Sequence, residues 1–155
     1  MINVIDSIKK NQLLSKQLKI VLLILSKYNC RAKEVLSAKR SNFYPDIHLI
    51  LKGAKRSQDV IIRDTEILHL ISSLPITKEP LLFPAISYRL LYSTVKKNYS
   101  HLFVRFKTKK NYKVTHGFRY FNAQFTKDEN ELKAVLHHNS KLSGHFYNPK
   151  VAPKK

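Results

Sequence analysis

Leu14, Leu18, Val21, Leu22 and Leu25 recur at intervals of three and four residues between lysines, and Ile20 to Leu25 is an unbroken apolar run. That spacing belongs to a helix with one buried stripe, so residues 7–27 are expected to form an amphipathic helix around which the chain must build a core. Six apolar residues are too few to cross a bilayer or to form the core of a signal peptide. At 155 residues and 43% hydrophobic content the chain has the material for one packed domain.

Further along, a short helix is expected from Ala32 to about Lys39. Ile47–Lys52 and Asp59–Arg63 are rich in β-branched residues and flank a turn at Gly53, the signature of a hairpin, with Lys52 where the first strand enters the turn. Asp64 is placed to N-cap a helix containing Ile67, Leu68, Leu70 and Ile71 that stops near Leu74-Pro75. Pro75 to Pro84 reads as a loop. Helical spacing returns from Ser87 through Leu90, Leu91, Thr94 and Val95, extending toward Phe106. A solvated basic loop at 107–110, a helix over His116–Phe125 and a last helix ending at His137-His138 complete the pattern, with Asp128, Glu129 and Glu131 at the start of the last helix complementing its dipole. The fold class is therefore mainly α with a small antiparallel β-sheet, an α+β domain.

Charge narrows the partners. The chain carries 29 Lys and Arg against 10 Asp and Glu, a net charge of +19 spread from Lys9 to Lys155. A distributed field of that sign favours a polyanion, most simply a nucleic acid whose counterions are released on binding. Charge alone suits a structural RNA-binding protein equally well. Cys30 is the single cysteine, so an internal disulfide is excluded and a reducing, cytoplasmic compartment is the expectation. There is no G-x-x-x-x-G-K-[ST] loop for nucleotide phosphates, and the acidic residues are too few and scattered for a two-metal nuclease. His137, His138 and His145 have neither a nearby cysteine nor an i, i+4 pairing, so no metal site is expected. No cofactor is expected either.

The remaining motifs lie in an informative order. Thr115-His116-Gly117-Phe118-Arg119 is followed by Leu136-His137-His138 and, nine residues after His138, by Tyr147. Upstream stand Asn29-Cys30-Arg31-Ala32-Lys33-Glu34-Val35-Leu36 and the turn Leu51-Lys52-Gly53-Ala54-Lys55-Arg56. This set resembles the catalytic domain of the tyrosine recombinase (phage integrase) family, which has T-G-x-R-x-x-E-[LV]-L, then a G-K-G-x-K turn, then H-x-x-R, L-G-H and a tyrosine nine residues on. The resemblance covers about residues 28–148. It implies the family's breaking-rejoining fold and six site residues: Arg31, Lys52, His116, Arg119, His138 and the nucleophile Tyr147. Three positions depart from the pattern: Asn29 and His137 replace glycines, and Tyr120 stands where the family commonly has histidine. None of these removes a reacting group.

What the resemblance implies is a recombinase or integrase of a mobile element that cuts and rejoins double-stranded DNA through a 3′-phosphotyrosyl link, without metal or ATP. A homo-oligomer on DNA, a dimer or tetramer, is also implied, against which only eight residues follow Tyr147 where family members usually extend into a helix that docks on a neighbouring subunit. The catalytic domain would occupy 1–147, without an N-terminal core-binding domain, and 148–155 would be a disordered basic tail. Two other functions fit the same residues: a DNA-binding accessory protein with weak or no catalysis, and a type IB topoisomerase-like relaxing activity.

Overall fold

The computed structural model describes residues 2–53, 58–99, 101 and 118. In order these form helix α1 (Ile2–Lys10), α2 (Lys16–Tyr28), α3 (Ala32–Leu36), a 3-10 turn (Arg40–Asn42), strands β1 (Phe43–Tyr44), β2 (His48–Leu51) and β3 (Val60–Ile62), and helices α4 (Thr65–Ser72) and α5 (Tyr88–Tyr99). The expected class holds: the described chain is mostly helical with one three-stranded antiparallel sheet of order β1-β2-β3.

The helix expected over 7–27 is two helices. Asn11 breaks it, because its side-chain oxygen accepts the Leu13 N–H (3.0 Å) and offers the backbone an alternative to the helical ladder. Ser15 then restarts the helix as an N-cap, accepting the Leu18 N–H at 3.2 Å. Leu14, which continued the apolar spacing, lies in the break and packs half-buried on the core. Every residue from Ile20 to Ser26 is buried because α1, α3 and α4 surround α2, which is why its apolar run is continuous. The buried Ser26 hydroxyl is satisfied by donating to the Leu23 carbonyl (3.1 Å).

The hairpin forms with Leu49 opposite Ile62 and Leu51 opposite Val60, all four buried, while Ile61 between them is exposed. The two-residue strand β1, pairing Phe43 with Leu49, was not expected. Nor was the contact made by the 75–84 segment: Leu82 N–H donates to the Ala38 carbonyl and Arg40 N–H to the Pro80 carbonyl, both at 2.9 Å. This bridge claims residues 38–40, so α3 ends at Leu36 and does not reach Lys39.

Asp64 caps α4 as expected, its Oδ1 accepting the Ile67 N–H at 3.0 Å. Its Oδ2 also takes the Lys27 ammonium at 2.7 Å, and its N–H donates to the Tyr28 hydroxyl at 3.1 Å, so one residue fastens the end of the sheet to α2. Burial, the largest influence on Asp64, opposes its ionisation, but the Lys27 and Ile67 hydrogen bonds outweigh it and hold the carboxyl below its ordinary pKa. Helix α5 begins beside Ser87, whose hydroxyl accepts the Leu90 N–H, and buries Leu91, Thr94, Val95 and Tyr99. The expected extension to Phe106, the basic loop at 107–110, the two later helices and the tail fall outside the described residues, apart from His101 and Phe118.

Candidate active site

Arg31 is delivered by the way α2 ends. Asn29 takes the left-handed conformation (φ 56°, ψ 31°) and its N–H closes on the Leu25 carbonyl at 3.2 Å. Asparagine is the non-glycine residue that best tolerates this geometry, so the turn forms here without a glycine. The chain then reverses through buried Cys30, and extended Arg31 (φ −76°, ψ 147°) becomes the residue that opens α3.

Glu34 holds that residue. Its Oε1 accepts the Arg31 backbone N–H at 3.3 Å and lies 3.9 Å from the guanidinium Nη1. The Glu34 side chain is 3% exposed against 28% for Arg31, so a buried acid sits beneath a guanidinium that reaches toward solvent. Its second oxygen, Oε2, is buried with no hydrogen-bond partner among the described residues. A buried carboxylate is tolerated when paired with a cation, and Arg31 supplies one.

The same Glu34 lines a cavity of about 360 Å³ between α3, the 3-10 turn and β2, together with Ser37, Lys39, Ser41, Asn42 and Lys52. Lys52 lines this cleft, and Arg31 does not, although its ion-pair partner Glu34 does. Lys52 follows β2 immediately, as expected, and its side chain is 67% exposed. Across the hairpin Asp59 Oδ2 takes the Lys52 ammonium at 3.3 Å, while Asp59 Oδ1 accepts the Gly53 N–H at 2.9 Å. The Gly53 N–H, and after burial's opposing influence the Lys52 ammonium, set the Asp59 carboxyl below its ordinary pKa.

Of the H-x-x-R segment, Phe118 is described: it is helical, 1% exposed, and stacks at a tilt on Tyr99 of α5 with ring centroids 5.8 Å apart. His116, Arg119, His138 and Tyr147 lie outside the described residues, so two of the six expected site residues, Arg31 and Lys52, have a described place. From sequence Glu34 is matched as the acid of the R-x-x-E motif but given no role, and Asp59 is not singled out as a site residue; its signal is spacing, seven residues after Lys52 across a turn. Among the described residues no group of three His, Cys, Asp or Glu side chains could hold a metal, and no helix is long and apolar enough to cross a membrane.

On the outer face of α5, Arg89, Lys96 and Lys97 are exposed alongside Tyr88 and Tyr92, with the Lys96 ammonium 5.8 Å from the Tyr92 ring centre. A cationic face with interleaved aromatics suits a phosphate backbone with adjoining bases.

No family model matches the chain, and no curated protein matches it in sequence. Solved structures do. The XerH site-specific recombinase bound to its difH substrate, in a pre-cleavage complex, aligns with a TM-score of 0.63 at 21% identity, over 92% of this chain and 46% of that one. The post-cleavage complex of XerH with a palindromic difH substrate gives a TM-score of 0.64 at 20% identity, over 94% and 46%. XerA recombinase gives 0.56 at 16% identity, over 93% and 56%. The chain spans about half the length of these recombinases. At such identities the likeness is one of fold, and the fold is that of the tyrosine recombinase catalytic domain, a helical body with a small antiparallel sheet.

Proposed function

We propose that this chain is the catalytic portion of a site-specific DNA recombinase that cuts and rejoins duplex DNA through a tyrosine. The observation that supports the proposal is a fold shared with solved site-specific recombinases, in which Lys52 and Glu34, the ion-pair partner of Arg31, line one cleft. The order H-x-x-R, L-x-H and Tyr147 downstream supplies the remaining groups.

In this reading the Tyr147 Oη attacks the scissile phosphorus, and the Oη–P bond forms as the P–O5′ bond breaks. A free phenol has a pKa of about 10, so its proton must be taken, and His116 is the base. Arg31 and Arg119 each offer a planar pair of N–H donors to the non-bridging oxygens, where charge grows in the transition state. His138 donates a further hydrogen bond. Lys52 gives its proton to O5′, leaving a neutral amine, a free 5′-hydroxyl and a 3′-phosphotyrosyl link. Reversal with another strand's 5′-hydroxyl completes exchange, and the stored phosphodiester energy removes any need for ATP. DNA is the partner that the charge of +19 and the cationic face of α5 favour.

The test is incubation in EDTA with a nicked suicide duplex carrying sequence that flanks the protein's own gene. A covalent protein–DNA band should form, and Tyr147→Phe should abolish it while leaving DNA affinity nearly unchanged. DNA binding with no covalent band from the unaltered chain would reduce the function to that of an accessory binding protein. An adduct that survives Tyr147→Phe would place the nucleophile elsewhere.

A further inference from the structure

The register of the hairpin pairs Leu51 with Val60, which makes Lys52 and Asp59 the next pair outward toward the turn. Asp59 uses its two oxygens differently: Oδ1 accepts the Gly53 N–H at 2.9 Å and Oδ2 takes the Lys52 ammonium at 3.3 Å. The backbone bond orients the carboxylate, and the oriented carboxylate, itself 48% exposed, offers the ammonium a partner. Lys52 needs such a restraint. Its side chain is 67% exposed on a long flexible stem, and the cleft it lines also contains Glu34 and Lys39, one attracting the ammonium inward and the other repelling it.

We propose that Asp59 is a positioning residue for strand cleavage, holding the Lys52 ammonium beside the cleft that Lys52 lines and tying Gly53 to the opposite side of the hairpin. The inference rests on the strand-transfer reading above, in which Lys52 protonates O5′. A general acid works only within hydrogen-bond reach of the oxygen it protonates, so an ammonium free to sample several rotamers is a weaker acid catalyst than one held in place. A phosphate entering the cleft takes over the ammonium from Asp59, and the Gly53 bond keeps the Asp59 carboxylate in place while it does.

The experiment uses the full chain and two nicked duplexes that differ at one atom. One has the ordinary scissile phosphodiester, and the other has sulfur in place of the bridging O5′. A thiol has a pKa of about 8.5, so sulfur departs as a thiolate and needs no proton from Lys52. Lys52→Ala and Asp59→Ala should both slow cleavage of the oxygen substrate. The Asp59→Ala loss should be about tenfold, part of the roughly 10² to 10⁴ that general acid–base catalysis contributes. Both variants should match the unaltered chain on sulfur. Asp59→Asn keeps an oxygen for the Gly53 N–H and should lose less than Asp59→Ala on the oxygen substrate. The Gly53 amide proton resonance should move in Asp59→Ala and stay near its original position in Asp59→Asn.

Asp59→Ala that cleaves the oxygen substrate at full speed, or is equally slow on both substrates, overturns the positioning role, provided Lys52→Ala is impaired and rescued by sulfur. Should Asp59→Ala fail to fold, Asp59→Asn decides by the same comparison. Full speed in Lys52→Ala on the oxygen substrate removes Lys52 as the acid and Asp59 with it. Failure of the unaltered chain to cleave either duplex overturns the strand-transfer reading itself.

Discussion

Asp64 is where three separate interactions converge, and its removal has a calculable effect. Asp64→Asn keeps a side-chain oxygen for the Ile67 N–H, because asparagine caps helices about as well as aspartate, and so deletes only the ion pair with Lys27. At 2.7 Å, with side chains 22% and 23% exposed, that pair lies between a surface salt bridge of about 0.2–1 kcal/mol and a charged hydrogen bond of about 1.5–3 kcal/mol. A loss of about 1 kcal/mol is expected for Asp64→Asn. Asp64→Ala also removes the cap, adding about 1 kcal/mol and giving a loss of about 2 kcal/mol. For a domain of this size each kcal/mol moves Tm by roughly 2–4 °C, so Asp64→Ala should melt about 4–8 °C lower. The Asp64 N–H bond to the Tyr28 hydroxyl belongs to the backbone and survives both changes. The Asp64 carboxyl is held below its ordinary pKa in the folded protein. Its stabilisation is therefore fully present above the unfolded value of about 3.9 and lost as pH falls through the lower folded value. Urea melts of the unaltered chain and both variants at pH 7 and pH 3, with Lys27→Met closing a double-mutant cycle, measure each part. A difference under about 0.5 kcal/mol at pH 7, or one that stays constant down to pH 3, would refute the role given to this contact.

Three further outcomes follow from the structure and the proposed chemistry. Asn29→Ala should destabilise by about 1 kcal/mol in the same melts, because alanine resists the left-handed conformation at φ 56°, whereas Asn29→Gly should be close to neutral. Arg119→Ala should slow suicide-substrate cleavage by roughly 10²-fold or more while Lys55→Ala has a small effect, since one removes a two-donor phosphate clamp and the other a single peripheral charge; equal small losses would take Arg119 out of the site. Binding of the isolated chain to specific and random duplexes should be nearly equal, with log affinity falling steeply against log salt, because phosphate contacts position without reading sequence. A fluorescence titration across several salt concentrations that finds tight, salt-insensitive, selective binding would contradict this.

What could be read from sequence was whatever the local chain decides. The Asp64 cap, the hairpin around Gly53 and the place of Lys52 depend on neighbours a few positions away, and all three appear as expected. The break between α1 and α2 did not show because Gln12, Leu13 and Leu14 are good helix formers that carry the spacing across Asn11. Strand β1 has two residues and no pattern to detect. The bridge from Ala38 and Arg40 to Pro80 and Leu82 joins segments some forty positions apart, which no local pattern encodes. In the site, Arg31 and Lys52 were legible through motifs, but the parts played by Glu34 and Asp59 depend on burial and on which oxygen meets which donor. The expectations for His116, Arg119, His138 and Tyr147 concern residues beyond the described ones, and they stand as proposals.

Phe118 ties the H-x-x-R segment of the sequence to the core. It lies two residues after His116 and one before Arg119, and its ring is sealed against Tyr99, itself 3% exposed on the inner side of the helix whose outer side presents Arg89, Lys96 and Lys97. Planar peptide bonds transmit a displacement of one residue to its neighbours with little slack. A change of side-chain volume at position 99 therefore bears on α5 and on Phe118 together, although Tyr99 faces the core. Tolerated change at this aromatic pair is thereby coupled across two segments of the chain, and a survey of substitutions should find position 99 constrained although it carries none of the proposed reacting groups.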